Sequence, residues 1–157
     1  MKAKIKMLAM MFVAVVCCVA CDDDDVWVDD AFYDSLLYQY PDAVDIEWDR
    51  RGRYYVADFW IDNHEADAWF DTAAKWLMTD VDISWSELPL AVQGGFNSGD
   101  YSSWMPDEYH HIVYADETVQ YVIEVEDGRK EKMLFYAPDG QFLKEKDVAR
   151  RDDIIWP

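Results

Sequence analysis

An internal repeat with a period of about 65 residues constrains this chain more than any other feature. The segment 54–79 resembles the segment 120–145. Three pairs of positions anchor the match: Tyr55-Val56 with Tyr121-Val122, Phe70 with Phe135, and Pro41-Asp42 with Pro106-Asp107. The near-constant spacing indicates a duplicated unit, so the fold has to be one that can be built twice and joined to itself.

Each copy has the pattern of a helix followed by four short strands. The helices are predicted at 30–40 and 86–96, the second capped by Ser84 or Ser86 and weakened near its end by Gly94-Gly95. In the first copy the strand patterns cover 44–48, 54–61, 65–71 and 75–79, and in the second copy hairpin turns fall at 126–128 and 138–140.

Links this short leave no room for crossover helices, which predicts an α+β fold. We expect two tandem helix-plus-four-stranded antiparallel meanders that form one continuous sheet with the helices on one face. The expected single domain spans 30–157, with repeat one at 30–81, repeat two at 82–147 and a tail at 148–157.

The N-terminus has the pattern of a bacterial lipoprotein signal. Three lysines precede an apolar run over 7–20, which is too short for a permanent membrane span. Residues 18–21 resemble a lipobox, with Cys18 in place of the usual leucine, and all three cysteines (Cys17, Cys18, Cys21) lie at this junction. The prediction is a signal peptide at 1–20 and lipidation of Cys21. A simple cleaved signal with incidental cysteines is the alternative.

Four consecutive aspartates, residues 22–25, follow Cys21 directly. Adjacent like charges repel and stay solvated, so residues 21–29 should form an acidic tether that holds the domain off the membrane. The run resembles the sorting signal of surface-displayed outer-membrane lipoproteins. A periplasm-facing anchor or a bare spacer would use the same residues.

Composition limits the classes of partner. The chain has 33 acidic and 14 basic residues and a net charge of -19, which excludes ordinary nucleic-acid binding because phosphate backbones need a basic surface. A 52% hydrophobic content with 16% aromatics excludes a disordered acidic chain. Contact with a membrane is expected through the lipid anchor only.

No catalytic, metal or cofactor motif stands out. His64 falls at a predicted hairpin tip, where it should be solvated, and His110 and His111 should point to opposite faces of one strand. Nucleophile elbows and glycine-rich phosphate loops are lacking in the sequence. The prediction is therefore a protein with no catalytic residue, no cofactor and no metal site. A glycan hydrolase that uses two of the many carboxylates is the alternative.

Strand alternation suggests a candidate binding face. In the second strand of copy one, Tyr55, Ala57, Phe59 and Ile61 share the predicted core face, which turns Asp58 and Trp60 outward. Extending the pattern to the next two strands gives a face composed of Trp60, Trp69, Trp76, Asp58, Asp67 and Asp71. Exposed indoles are typical of binding hot spots, and the acidic flanks favour a basic protein or peptide. Alternatively, the rings fill a second apolar layer against the tail Ile154-Ile155-Trp156.

Several short motifs resemble those of a known family. They are residues 40–43, 47–48, 54–57, 68–71 and 75–79 in the first copy, and 87–89, 91–92, 121–124 and 139–140 in the second. Together they resemble the PepSY-like lipoproteins of Gram-negative bacteria, whose fold is similar to the β-lactamase inhibitory protein. The resemblance covers about residues 30–147 and implies tandem helix-plus-sheet repeats. An inhibitor role follows from it only by analogy.

The sequence thus predicts a lipid-anchored envelope or cell-surface binding module of inhibitor-like type. It would engage a protein or peptide through the aromatic and acidic sheet face. A structural or accessory envelope lipoprotein without a ligand site remains the alternative.

Overall fold

The computed structural model describes residues 26–148, and the predicted signal peptide, Cys21, the aspartate run and the Ile154-Ile155-Trp156 tail lie outside them. A helix followed by four strands occurs twice. The elements are α1 Asp30–Gln39, β1 Val44–Arg51, β2 Tyr54–Ile61, β3 His64–Phe70, β4 Trp76–Asp82, then α2 Leu90–Ser98, β5 Met105–Tyr114, β6 Val119–Glu126, β7 Glu131–Tyr136 and β8 Phe142–Val148. A single 3₁₀ turn, Trp85–Glu87, precedes α2.

All eight strands form one antiparallel sheet in the order β1 to β8, each paired with its neighbour in sequence. Both helices pack on the same face. Phe32 and Leu36 of α1 lie in a cluster with β2 and β3 side chains, and Val92 and Phe96 of α2 lie in an equivalent cluster with β6 and β7. The predicted fold class is confirmed, including the continuous sheet and the helices on one face.

The two copies match even in their irregularities. A register shift interrupts β1 against β2 between Val44 and Glu47, and a corresponding shift interrupts β5 against β6 between Pro106 and Tyr109. Further shifts occur at Trp69/Phe70 in one copy and Phe135/Tyr136 in the other. Bulges redirect strands and change their twist, so both copies bend at the same points.

The Pro41-Asp42 match to Pro106-Asp107 does not hold in three dimensions. Pro41 lies in the turn between α1 and β1, whereas Pro106 lies inside β5. Arg50 pairs with Tyr55 in the first copy, and His111 pairs with Tyr121 in the second. Because the two tyrosines correspond, Arg50 corresponds to His111. A longer β5–β6 loop therefore changes the repeat spacing between the first and second strands.

The second helix begins later than predicted because Pro89 occupies its N-cap position. Proline suits the start of a helix and would break its interior, so the residues before it form the separate 3₁₀ turn. Ser84 caps that turn reciprocally with Glu87, and α2 continues through Gly94 and Gly95 to Ser98.

Candidate functional site on the open sheet face

The sheet face turned away from α1 and α2, called here the open face, carries most of the predicted binding residues. Cross-strand partners share a face, and Asp58 pairs with Asp67, which in turn pairs with Asp80. The prediction that Asp58 and Asp67 point away from the helix-packed core is therefore correct. Three neighbouring strands present carboxylates side by side.

Trp69 lies on the open face but is not exposed, contrary to the prediction. Its exposed fraction is 0%. Its cross-strand partners are Val56 and Met78, and it belongs to an apolar stripe along the middle of the open face. The members of this stripe are Tyr54, Val56, Trp69, Met78, Ile112, Val122, Met133 and Phe135.

Packing outweighs the polar cost of burying this indole. Trp69 Nε1 has no hydrogen-bond partner within residues 26–148, which costs about 1–3 kcal/mol. Burying a tryptophan removes roughly 150–250 Å² from water, worth about 4–6 kcal/mol. Sequence alternation identified the face correctly but could not show that neighbouring strands would supply apolar partners on it.

Cationic side chains lie over the rings of the apolar stripe. The Arg51 guanidinium is 5.4 Å from the centre of a Trp69 ring, and the Lys144 ammonium is 4.4 Å from the centre of the Phe135 ring. Such contacts contribute about 0.5–2 kcal/mol each and cover the rings with flexible polar groups.

Trp76 is on the helix side of the sheet, and the prediction that it continues the exposed row is wrong. The register shift at Trp69/Phe70 makes Trp76 the partner of Phe70, a residue of the α1 core. Its Nε1 donates to Thr79 Oγ1 at 2.9 Å, and its ring lies edge-on to Tyr40.

Trp60 is the one predicted tryptophan that is substantially exposed, at 44%. It pairs with the exposed Val44 of β1 and with Glu65 of β3. An apolar contact area therefore lies beside the row of carboxylates.

Asp71 serves a turn at the rim rather than the sheet face. Its Oδ1 accepts hydrogen bonds from the backbone N–H groups of Ala73 at 2.8 Å and Lys75 at 3.0 Å. It also lines a shallow cavity with Arg53, Tyr54 and Leu77. The carboxylate is thus occupied by the β3–β4 connection.

Five carboxylates surround a small cavity on the open face, and we call this group the acidic patch. A volume of about 120 Å³ is lined by them together with Arg51 and Ala66. Arg51 Nη1 donates to Asp67 Oδ2 at 2.7 Å, which partly neutralises the group. The members of the patch are Asp58, Glu65, Asp67, Asp80 and Asp82.

Burial and crowding raise the pKa values of three patch carboxyls, those of Asp58, Glu65 and Asp67. Burial raises the pKa of Asp67 to about 6, with Asp58 and Asp80 adding to the rise and Arg51 opposing it. Burial also raises the pKa of Asp58, against the opposing effect of Arg51. The pKa of Glu65 is raised by burial and by the nearby Asp58 and Asp82. The patch is therefore short of positive charge.

His110 lies at the edge of this patch and was not predicted to be functional. Its ring is almost enclosed, with an exposed fraction of 7% for the residue. Nδ1 lies 3.2 Å from Asp80 Oδ1 and 3.1 Å from Asp82 Oδ1, and Nε2 lies 3.5 Å from Glu124 Oε1. Burial alone would lower the pKa of His110, but the Asp80, Asp82 and Glu124 carboxylates raise it well above its ordinary value.

The sequence could not reveal this cluster because its members come from three strands. His110 pairs with Asp82 across β4 and β5 and with Val122 across β5 and β6. The β4–β5 pairing joins the two copies, and no local motif fixes its register. The prediction that His110 and His111 face opposite ways is confirmed, since His111 stacks on Tyr121 on the helix side.

The prediction that His64 is solvated at a hairpin tip is wrong, because its side chain has a partner. Its Nε2 lies 2.7 Å from Glu87 Oε1, so it connects the start of β3 to the 3₁₀ turn before α2. The half-buried ring therefore has a structural contact with the turn before α2.

Comparison with known proteins identifies the family. Residues 53–144 match the family described as "Putative beta-lactamase-inhibitor-like, PepSY-like". A BLIP-like protein from Bacteroides fragilis is 38% identical, with a TM-score of 0.77 over 87% of this chain and 99% of that chain. This chain belongs to the PepSY-like, β-lactamase-inhibitor-like family. The resemblance inferred from the short motifs is confirmed.

Other solved structures of similar shape also come from Bacteroides. A DUF2874 family protein from Bacteroides ovatus is 27% identical, with a TM-score of 0.77 over 84% of this chain and 96% of that one. A protein from Bacteroides eggerthii, described as periplasmic, is 24% identical with a TM-score of 0.72 over 78% and 91% of the two chains, a likeness of fold alone. No curated protein matches the chain.

The family is described by its likeness to an inhibitor, which is a binding activity rather than a catalytic one. Within residues 26–148, neither helix is long and apolar enough to cross a membrane.

Proposed function

We propose that this protein is a lipid-anchored, inhibitor-like binding module of the cell envelope that holds a basic segment of a protein partner against the acidic patch. The observation that carries the proposal is the row of carboxylates from Asp58, Asp67 and Asp80 on adjacent strands of the open face. Five acidic side chains line the cavity with a single basic one, Arg51, among the described residues.

The raised pKa values of Asp58, Glu65 and Asp67 show that their ionised forms are destabilised. A cationic side chain from a partner would stabilise them. The Asp67 carboxyl, with its pKa near 6, gains from any positive charge placed in the cavity. A lysine or arginine is long enough to enter a cavity of about 120 Å³ by its charged end. Charge complementarity of this kind favours fast encounter and selection among partners.

Trp60 supplies the apolar half of the contact. It is exposed next to Glu65, so a partner residue adjacent to the bound cation would lie across the indole. Tryptophan at such a position buries a large area with few rotatable bonds to fix. The proposed contact surface is therefore Trp60 with the acidic patch, and Trp69 supports it from beneath instead of touching the partner.

A titration with acetyl-tetralysine-amide tests the proposal on the purified full-length protein in detergent. We expect amide shifts at the patch and a shift of the Trp60 indole N–H in ¹H–¹⁵N spectra. The double variant Asp58→Asn/Glu65→Gln should bind the peptide at least about fivefold more weakly. Acetyl-tetraglutamate-amide should cause no shift at the patch.

The matched control removes the same charge from the other side of the molecule. Asp34 on α1 and Asp42 after it are both exposed, and Asp34→Asn/Asp42→Asn reduces the net negative charge by the same amount. If both double variants lose affinity to the same extent, the peptide senses total charge and the acidic patch is not the site.

The envelope location is a separate part of the proposal, and the N-terminal pattern supports it. Metabolic labelling with palmitate should mark the wild-type protein and leave Cys21→Ser unlabelled. Protease treatment of intact cells distinguishes outward display from a periplasm-facing anchor. Equal labelling of both proteins would contradict lipidation at Cys21.

A further inference from the structure

The cluster around His110, beside the acidic patch, combines a histidine with carboxylates, as metal sites do. Asp80, Asp82 and His110 each offer one ligand atom, and these three atoms lie within 4.8 Å of one another. Carboxylate oxygens alone suit Mg²⁺ or Ca²⁺, whereas an imidazole nitrogen with carboxylates suits zinc-type divalent metals.

Burial provides an observation that is independent of the acidic composition. The side chain of His110 is only 9% exposed. Neither ring nitrogen makes a hydrogen bond of acceptable geometry with any group in residues 26–148, and the same is true of Asp80 Oδ1. The enclosed ring nitrogens thus face carboxylates at ion-pair distance but without a well-aligned hydrogen bond, an arrangement that a cation between them would satisfy more fully.

The two distances from His110 Nδ1 to the aspartate oxygens match those between neighbouring metal ligands. Zinc–nitrogen and zinc–oxygen bonds are about 2.0–2.2 Å, so neighbouring ligands of a tetrahedral ion lie about 3.3 Å apart. His110 Nδ1 is 3.2 Å from Asp80 Oδ1 and 3.1 Å from Asp82 Oδ1. An ion placed between these atoms would need little rearrangement of the side chains.

Glu124 occupies the place of the group that orients a metal-binding histidine. Its Oε1 is 3.5 Å from His110 Nε2, on the side of the ring opposite Asp80 and Asp82, and the residue is 2% exposed. Histidine ligands usually donate their second N–H to a carboxylate, which fixes the tautomer and presents the other nitrogen to the metal. A metal that binds Nδ1 would displace its proton to solvent, and with the other proton held on Nε2 the Nδ1 lone pair would face the metal between the two aspartates.

We propose that Asp80, Asp82 and His110 Nδ1 bind a divalent transition metal of the zinc type, with Glu124 as the positioning residue behind the histidine. The Asp82 side chain is 61% exposed and provides a route of entry. A fourth ligand position would open towards the acidic patch cavity, which Asp80 and Asp82 also line. This inference goes beyond the proposed partner binding and does not depend on it.

Titration with Zn²⁺ and Co²⁺ tests the site on the full-length protein after treatment with EDTA and dialysis. We expect one Zn²⁺ per chain by calorimetry and, with Co²⁺, the visible absorption bands of a four-coordinate ion. Asp82→Asn should weaken Zn²⁺ binding at least about tenfold and abolish those bands, and because the Asp82 side chain is exposed, the variant should keep the wild-type fold by circular dichroism.

Glu126→Gln is the matched control, because Glu126 is an exposed carboxylate of β6 that is not among the three ligands. It should bind both ions as the wild type does. Imidazole ¹⁵N spectra give a second readout, in which Zn²⁺ should shift Nδ1 of His110 and leave Nε2 protonated.

Three results would overturn the proposal. The first is the absence of saturable Zn²⁺ binding, and the second is equal weakening in Asp82→Asn and Glu126→Gln. The third is a His110 ring that keeps protons on both nitrogens at saturating Zn²⁺, which would show that a proton holds the carboxylates together in place of a metal.

Discussion

Individual side chains of the open face are held in environments that alter their chemistry. Asp67 shows this most directly, because it is paired with Arg51 at 2.7 Å and lies beside Asp58 and Asp80. The single cation does not compensate for burial and for two neighbouring carboxylates, so the pKa of Asp67 rises from 3.8 to about 6. The folded protein therefore holds a proton on Asp67 that the unfolded chain releases at lower pH.

This difference predicts how stability depends on pH. Between pH 3.8 and 6 the native state binds more protons at Asp67 than the unfolded state does, so this group makes the protein less stable as the pH rises. The full change approaches about 3 kcal/mol above pH 6. Urea unfolding from pH 4 to pH 7 should show a decline in wild type that is smaller in Asp67→Asn, where only Asp58, Glu65 and the other remaining groups contribute.

Arg51, Asp58 and Asp80 face the Asp67 carboxyl, and all three are retained in that variant. Asp34→Asn, on the exposed surface of α1, controls for the loss of one charge. If the unfolding free energies of wild type and Asp67→Asn changed equally with pH, the pKa of Asp67 would not be raised in the folded protein.

Two tryptophans of the same face should differ sharply in their contribution to stability. Trp69 is fully enclosed in the apolar stripe, whereas Trp60 is 44% exposed. Trp69→Ala should therefore cost about 3–5 kcal/mol of unfolding free energy, and Trp60→Ala about 1 kcal/mol or less. Urea denaturation followed by circular dichroism measures both, and similar costs would contradict the assignment of Trp69 to the interior.

At the scale of elements, the position of α2 depends on a close approach between two glycines. A Cβ added to Gly95 would overlap the carbonyl of Gly140 in the β7–β8 turn. Gly140 in turn has φ +86° and lies against the carbonyl of Ala91. The helix can sit against this turn only because neither residue carries a side chain. Sequence reasoning treated Gly94-Gly95 as a weak helix end, since the partner turn is distant in the chain.

Adjacent glycines in α2 therefore give a matched pair of variants. Gly95→Ala should destabilise the protein by about 1–3 kcal/mol because of the clash with Gly140. Gly94→Ala meets no atom within 4 Å and should stabilise it by up to about 1 kcal/mol through helix propensity. Thermal unfolding of the two variants compares the effects directly. The idea of a close approach fails if both substitutions shift the melting temperature in the same direction.

At the scale of the whole molecule, sequence patterns predicted the architecture better than the site. The period-two alternation of β2 and β3 and the short turns were enough for the meander and for the faces of Asp58 and Asp67. These patterns could not predict the register between β4 and β5, which places His110 against Asp80 and Asp82. Register depends on contacts far apart in sequence, and a bulge such as that at Trp69/Phe70 reverses the face of the next residue.

The sheet ends in two edges of different character. On β8 the open-face side carries Lys144 and Lys146, paired across from Phe135 and Met133. Charged side chains, lysines especially, discourage another strand from adding to an edge. The far edge, β1, contains the register shift and the residue Asp45 at φ +53°, which interrupt a flat hydrogen-bonding surface. Both ends are thus protected against uncontrolled pairing.

The two copies are joined where β4 pairs with β5. Five residue pairs form this antiparallel seam, from Met78–Tyr114 to Asp82–His110. An ancestor that consisted of one helix and four strands would have had an unpaired strand edge where this seam now runs. Because the seam joins the last strand of one copy to the first strand of the other, it is a head-to-tail contact, and gene fusion makes permanent a pairing that separate chains would form only at sufficient concentration.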